Sequence, residues 1–195
     1  MRGRSDPAAA LLSGVQNADA PPRMNVFLVG PMGSGKSAVG RQLAQRLALE
    51  FIDSDAEIEA RTGVDIAYIF EREGEAGFRS REAEVIDAIS RRDRVLVSTG
   101  GGAVLDAGTR ERLRTRGRVV YLRTSVDQQL ARTRRSSDRP LLNNDDPRGT
   151  LERLFEQRAP LYTEVAEIVV DTDGRKVKTV VDQICHQLGV EGLEP

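Results

Sequence analysis

Gly30-Pro31-Met32-Gly33-Ser34-Gly35-Lys36-Ser37 has the spacing G-x-x-x-x-G-K-[ST]. It stands between a run of strand type, residues 25–29, and a segment in which Val39, Leu43 and Leu47 fall on one helical face. Glycines let a backbone wrap close to phosphate oxygens, and the loop amides and helix N-terminus then supply converging donors and positive potential. Lys36 adds a point charge for the β and γ phosphates, and Ser37 offers a hydroxyl to Mg²⁺. The segment therefore predicts a nucleotide site built from Gly33, Ser34, Gly35, Lys36, Ser37 and Ala38. Motors, switches and kinases share such a loop, so it does not by itself select the chemistry.

Outward from this loop, short β-rich runs alternate with longer segments of helical period, the pattern of an α/β chain whose parallel sheet is covered on both faces. Strands are expected at residues 25–29, 50–52, 95–98, 118–122 and 167–170. Val177, Val180, Val181, Ile184, Cys185 and Leu188 form the apolar stripe of a last helix, which makes Cys185 a core residue and leaves His186 beside the stripe. Residues 136–146, SSDRPLLNNDD, are polar and turn-rich around a short PLL and suit a lid, with its limits at about 132–147. Residues 1–24 are expected to be a flexible tail ahead of one domain over residues 25–190; their apolar stretch is too short for a signal peptide and is interrupted by Asp6 and Pro7.

The 195 residues fit one core, and 39% hydrophobic with 30% charged residues suits a globular chain. A net charge of −1 provides no global field toward nucleic acid or an anionic membrane, and apolar runs such as residues 26–29 are far too short to cross a bilayer. The single cysteine, Cys185, excludes an internal disulfide and fits a reducing, cytoplasmic setting. Apart from Lys36, Lys176 and Lys178 every basic side chain except His186 is arginine, the residue suited to planar, bidentate recognition of phosphate or carboxylate.

Three features point to an acceptor site at the carboxyl ends of the strands, where ligands gather in open parallel sheets. Asp53 and Asp55 flank Ser54 after the second strand; on an extended strand end they would point to one side, and as a turn or helix-cap pair they would serve the backbone. Gly100, Gly101 and Gly102 follow the third strand and let a substrate approach the backbone, unless they are a bare flexible turn. Arg79, Arg139 and Arg158 each sit beside aromatic, proline or turn residues; taken singly, any of them reads equally as a surface cation, as do Arg91-Arg92 and the run from Arg132 to Arg135.

Together GPMGSGKS, FIDSD, IFEREGEAGFRSRE, STGGGAVL, LARTRR, DRPLL, RAPLY and VDTDGR resemble the shikimate kinase family in order and spacing, from Asn25 to Leu188. The resemblance implies a three-layer α/β/α fold of the nucleoside monophosphate kinase-like P-loop type, with a five-stranded parallel sheet, a mobile lid and a substrate-binding segment at about 54–83. It implies ATP and shikimate as partners, Mg²⁺ as cofactor and a monomer. Asp55, Arg79, Gly101 and Arg158 would hold shikimate with Gly100 and Gly102 flanking it, Glu82 would orient Arg79, and Phe70 and Phe78 would wall the pocket or belong to the core. Arg139 would close over the phosphates, Arg132 and Arg175 would lie near the adenine, and Asp53 would join Ser37 in the magnesium shell through water. Lys36, Asp55 and Arg139 would carry the catalysis.

The implied reaction is in-line transfer from MgATP to the 3-hydroxyl of shikimate. The rival readings are a small kinase for gluconate or a nucleoside monophosphate, a nucleotide-binding switch or inactive sensor, and a nucleic-acid module. The acceptor set weighs against a sensor, and the lack of net positive charge and of interleaved aromatics weighs against nucleic acid.

Overall fold

The structure is a computed structural model that describes residues 24–133, 142 and 145–190. Five strands, Val26–Val29 (β1), Glu50–Asp53 (β2), Val95–Ser98 (β3), Arg118–Arg123 (β4) and Ile168–Asp171 (β5), pair in the order β2-β3-β1-β4-β5, every pair parallel. All five expected strands are present, with ends shifted by at most one residue. Their hydrophobicity follows from their place: all four residues of β1, the middle strand, are fully buried.

Successive side chains leave a strand on opposite faces, so alternate residues feed two separate cores. Phe27, Val29, Val97, Val119 and Tyr121 pack on one face, with Ile86 and Ile89 of α3 (Ile66–Ser90), Leu113 of α4 (Ala107–Arg116) and Tyr162 of α6 (Pro147–Val165). Val26, Leu28, Leu96, Val120 and Leu122 pack on the other, with Val39 and Leu43 of α1 (Lys36–Arg46) and Val180, Ile184 and Cys185 of α7 (Val177–Leu188). The two remaining helices, α2 (Ser54–Thr62) and α5 (Val126–Thr133), follow β2 and β4 directly. The last-helix stripe is thus core, Cys185 included, and His186 is exposed.

Helix starts differ in a way that bears on function. Asp53, Asp65, Asp106 and Asp146 each accept a first-turn N–H and so cap α2, α3, α4 and α6. No side chain caps α1: its N-cap is Gly35, in the left-handed region at φ 93°, and the first-turn amides are left for an anion. Helix α3 is broken at Gly74 (φ 70°, ψ −177°), and the segment beyond the break carries Arg79 and Glu82.

Strand register aligns the functional loops. Ser98 pairs with both Leu28 and Asp53, so β1, β2 and β3 end level and release the phosphate loop, the Asp53–Asp55 turn and the triple glycine from one row. The chain runs from β1 to the β2–β3 side and later crosses to β4 and β5, so the crevice beside β1 is the topological switch point. Residues 1–23 of the expected tail and most of the expected lid, Arg139 among them, lie outside the described residues; Met24, assigned to the tail, packs partly against the α1–α7 core. No helix among the described residues is long and apolar enough to cross a membrane.

Candidate active site

The phosphate loop is anchored by its own lysine. Lys36 Nζ donates to the carbonyls of Gly30 (2.7 Å) and Pro31 (2.8 Å), which lays the ammonium along the loop. At the mouth of the loop Ser37 Oγ donates to Asp53 Oδ2 at 2.8 Å, pairing the hydroxyl and the carboxylate expected to serve a cation. Asp53 Oδ1 meanwhile accepts from the Asp55 amide at 3.1 Å. Asp53 and Asp55 are therefore not an extended pair: β2 stops at Asp53, and Asp55 lies in the first turn of α2, because the Asp53 carboxylate caps that helix.

The acceptor residues converge on Glu82, which is 2% exposed and has an Oε1 with no hydrogen-bond partner. Burial pushes its carboxyl above the ordinary range; Arg79 opposes that, Asp55 adds to it and Arg158 opposes it, so all three charged groups act on one buried carboxyl. Arg79 Nη1 donates to Glu82 Oε2 at 2.6 Å, Arg79 Nη2 donates to Glu75 Oε1 at 3.0 Å, and the guanidinium lies 5.1 Å from the centroid of Phe78. Burial works against the Arg79 charge, but the two carboxylates outweigh it and hold the guanidinium above its ordinary value. Phe78 is core and lies 4.8 Å from the half-buried Phe70 ring, so it serves the packing and the pocket together.

Arg158, on α6, is 4% exposed, makes no ion pair among the described residues and has an Nε without a hydrogen-bond partner. A guanidinium so placed is costly unless an anion meets it.

The glycines are needed for space. A Cβ on Gly102 would sit 2.2 Å from Arg79 Cζ, and one on Gly100 would sit 2.2 Å from Glu82 Oε1 and 2.8 Å from Asp55 Oδ1. Polar groups of the triplet are mostly engaged: the Gly100 N–H donates to Ser54 Oγ (2.9 Å), and the carbonyls of Gly100, Gly101 and Gly102 accept from the Ala103 amide, the Tyr162 hydroxyl and the Leu105 amide. The Gly101 and Gly102 amides have no hydrogen-bond partner among the described residues, and Gly101 packs against the phosphate loop, since a Cβ on it would lie 3.5 Å from the Met32 amide.

At the far end of the loop Arg132 departs from the solvated cation its sequence suggests. Its Nη1 donates to the Gly33 carbonyl (2.8 Å) and its Nη2 to the Thr172 carbonyl (3.1 Å), tying the phosphate loop to the segment after β5. Asp173 accepts from Thr124 Oγ1 and the Ser125 amide, so the same segment is pinned to the start of α5. Arg175 hydrogen-bonds Gln183 on α7.

The phosphate-type loop and the cluster around Arg79, Glu82 and Arg158 thus lie at the carboxyl edge of a parallel sheet, and comparison with known proteins gives the family. Residues 32–189 match the family model described as shikimate kinase. The chain belongs to the shikimate kinase family. The shikimate kinase of Shewanella amazonensis is 55% identical over 167 residues, 86% of this chain and 98% of that protein. Among solved structures, the shikimate kinase from Acinetobacter baumannii in complex with shikimate is 45% identical with a TM-score of 0.85, covering 89% of this chain and 97% of that one. The shikimate kinase from Aquifex aeolicus is 36% identical with a TM-score of 0.75, covering 85% and 96%. A shikimate kinase is an ATP-dependent phosphotransferase that converts shikimate to shikimate 3-phosphate and ADP on the route to chorismate and the aromatic amino acids, which removes the gluconate, nucleotide, switch and nucleic-acid readings.

Seen as a shikimate kinase site, the cluster also contains residues that sequence reading passed over. Ser54, fully buried, orients Gly100; Tyr162 holds Gly101; Thr172 and Asp173 fix the loop beside Arg132. Only Tyr162 carried a signal, lying four residues after Arg158 and so on the same helical face.

Proposed function

We propose that the loop of residues 30–37 holds the phosphates of ATP while Asp55, Arg79, Arg158 and the amides of Gly101 and Gly102 hold shikimate, its 3-hydroxyl facing the γ-phosphoryl group. The observation that carries this is Arg158: a buried guanidinium with no ion pair among the described residues, beside an Arg79 already oriented by Glu82. Two such groups suit one carboxylate. The contact between Gly101 and the phosphate loop supports the close approach of the two substrates.

In this reading the hydroxyl oxygen bonds to the γ-phosphorus as the bond to the ADP oxygen breaks, and Asp55 orients the hydroxyl and receives its proton. Lys36 and Arg139 neutralise charge on the transferring group, and Arg132 and Arg175 flank the adenine. Ser37, and Asp53 through water, would hold Mg²⁺; a hydroxyl and a carboxylate 2.8 Å apart supply the hard oxygen groups this cation takes alongside water. Bound there, the cation supplies charge neutralisation at the β and γ phosphates. The proposal extends to a cytoplasmic monomer without nucleic-acid or membrane partners, in keeping with a net charge of −1 and a lone cysteine.

The test is ADP release with ATP, Mg²⁺ and shikimate or an analogue whose carboxylate is reduced to an alcohol. Loss of both arginine contacts should lower kcat/KM about 10²-fold or more. Equal turnover of the two acceptors would overturn the carboxylate clamp.

A further inference from the structure

We infer that Tyr162 is a positioning residue for shikimate: its hydroxyl fixes the Gly101–Gly102 peptide so that the triple-glycine loop presents its free amides in register with Arg158 on the same helix. This deepens the proposed reading and rests on shikimate docking at that loop. Tyr162 is 1% exposed, its O–H donates to the Gly101 carbonyl, and its ring stacks on that of Tyr121 with centroids 5.0 Å apart. The side chain is thus held at its ring by stacking and at its hydroxyl by a hydrogen bond, which is what a supporting residue needs in order to hold a binding geometry.

A peptide unit is planar, with its C=O and N–H pointing opposite ways. Holding the Gly101 carbonyl against α6 therefore sets the direction of the Gly102 N–H, and with it the Cα of Gly102 on which the Arg79 guanidinium lies. Glycines at 100, 101 and 102 have no side chain to resist rotation of these peptides, so the orientation has to come from partners. Ser54 and the Ala103 amide supply them at Gly100, the Leu105 amide at the Gly102 carbonyl, and Tyr162 at the Gly101 carbonyl, the peptide that carries the Gly102 N–H. Tyr162 lies one helical turn beyond Arg158, across Pro160, so one helix delivers a cation for the substrate and the anchor for the loop facing it. Burial pushes the Tyr162 phenol above its ordinary value against the charge of Arg158 and a hydrogen bond with its side chain, so the hydroxyl stays protonated and links Arg158 to the Gly101 carbonyl.

The experiment is Tyr162→Phe, which keeps the ring stack and removes only the O–H, with kcat and both KM values measured beside the melting temperature. Shikimate KM should rise about ten-fold, the size of effect expected when a buried acceptor loses its donor, while the KM for ATP stays within about two-fold. Tyr121→Phe is the control: the Tyr121 hydroxyl is buried without a partner, so its removal should move neither KM. Equal rises in both KM values for Tyr162→Phe would mean a general structural role and overturn the inference. Unchanged shikimate KM in Tyr162→Phe, with a raised one in Arg158→Met, would overturn the inference and leave the substrate reading intact; unchanged KM in both variants would remove the substrate reading itself.

Discussion

Replacing Arg158 with Met should separate stability from function. The side chain is 4% exposed and has no ion pair among the described residues; what compensates it is a hydrogen bond with the Tyr162 hydroxyl and the charge of Glu82, which is already bonded to Arg79. Burying an ion without full pairing costs several kcal/mol on the order-of-magnitude scale for real proteins, so a Met of similar length should leave the melting temperature of the free protein unchanged or raise it by about 2–4 °C. Shikimate binding should move the other way. A hydrogen bond to a charged partner contributes about 1.5–3 kcal/mol, equivalent to roughly 10- to 150-fold in affinity. The assay is steady-state ADP release with each substrate varied in turn, together with thermal melts with and without shikimate. The KM for shikimate should rise within that range, the KM for ATP should stay near its wild-type value, and the shikimate-induced rise in melting temperature at a fixed concentration should shrink. A melting temperature about 5 °C or more lower, with both KM values raised alike, would refute the reasoning and make Arg158 a structural cation.

Asp53→Asn should raise the Mg²⁺ concentration for half-maximal activity about ten-fold while changing the melting temperature by no more than about 2 °C, because Asn still caps α2; an unchanged Mg²⁺ titration would remove Asp53 from the metal site. Gly102→Ala puts a Cβ 2.2 Å from Arg79 Cζ, so the guanidinium must leave its place. Shikimate KM should then rise about ten-fold or more with ATP KM nearly constant, and normal shikimate kinetics would contradict the packing argument. Asp173 titrates with a definite sign: burial raises its carboxyl, but hydrogen bonds from Ser125 and Thr124 outweigh it and hold the group below its ordinary value. Its stabilisation is therefore present above the unfolded value of about 3.9 and lost as the pH falls through the folded one. Asp173→Asn should flatten the dependence of melting temperature on pH on the acid side, and an unaltered slope would count against the assignment.

How far the site can be read from sequence depends on how local each part is. The phosphate loop is contiguous, its eight residues occupy one strand-to-helix turn, and its donors are backbone amides, so its chemistry is written in its own spacing. The strands were legible because burial on both faces leaves near-continuous apolar runs. Asp53 and Asp55 read equally as an extended pair or as a helix-cap pair, because nothing local says that the strand ends at Asp53; the cap of α2 decides for the second. Arg132 reads as a solvated cation from its neighbours alone and is set apart only by the family resemblance, since its partners, Gly33 and Thr172, are 99 and 40 residues away.

What the sequence by itself determined is the α/β alternation, the phosphate site and the family resemblance, all of which rest on short-range spacing and on residue types that few other roles explain. Tertiary structure alone decided that Arg158 is buried with no ion pair among the described residues, which glycines make room for Arg79 and Glu82, and that Tyr162 holds the loop between them. The physical reason is that desolvation and hydrogen-bond satisfaction belong to the surroundings of a side chain. Those surroundings come from β2, β3, α3 and α6, which only the closed sheet brings to one place.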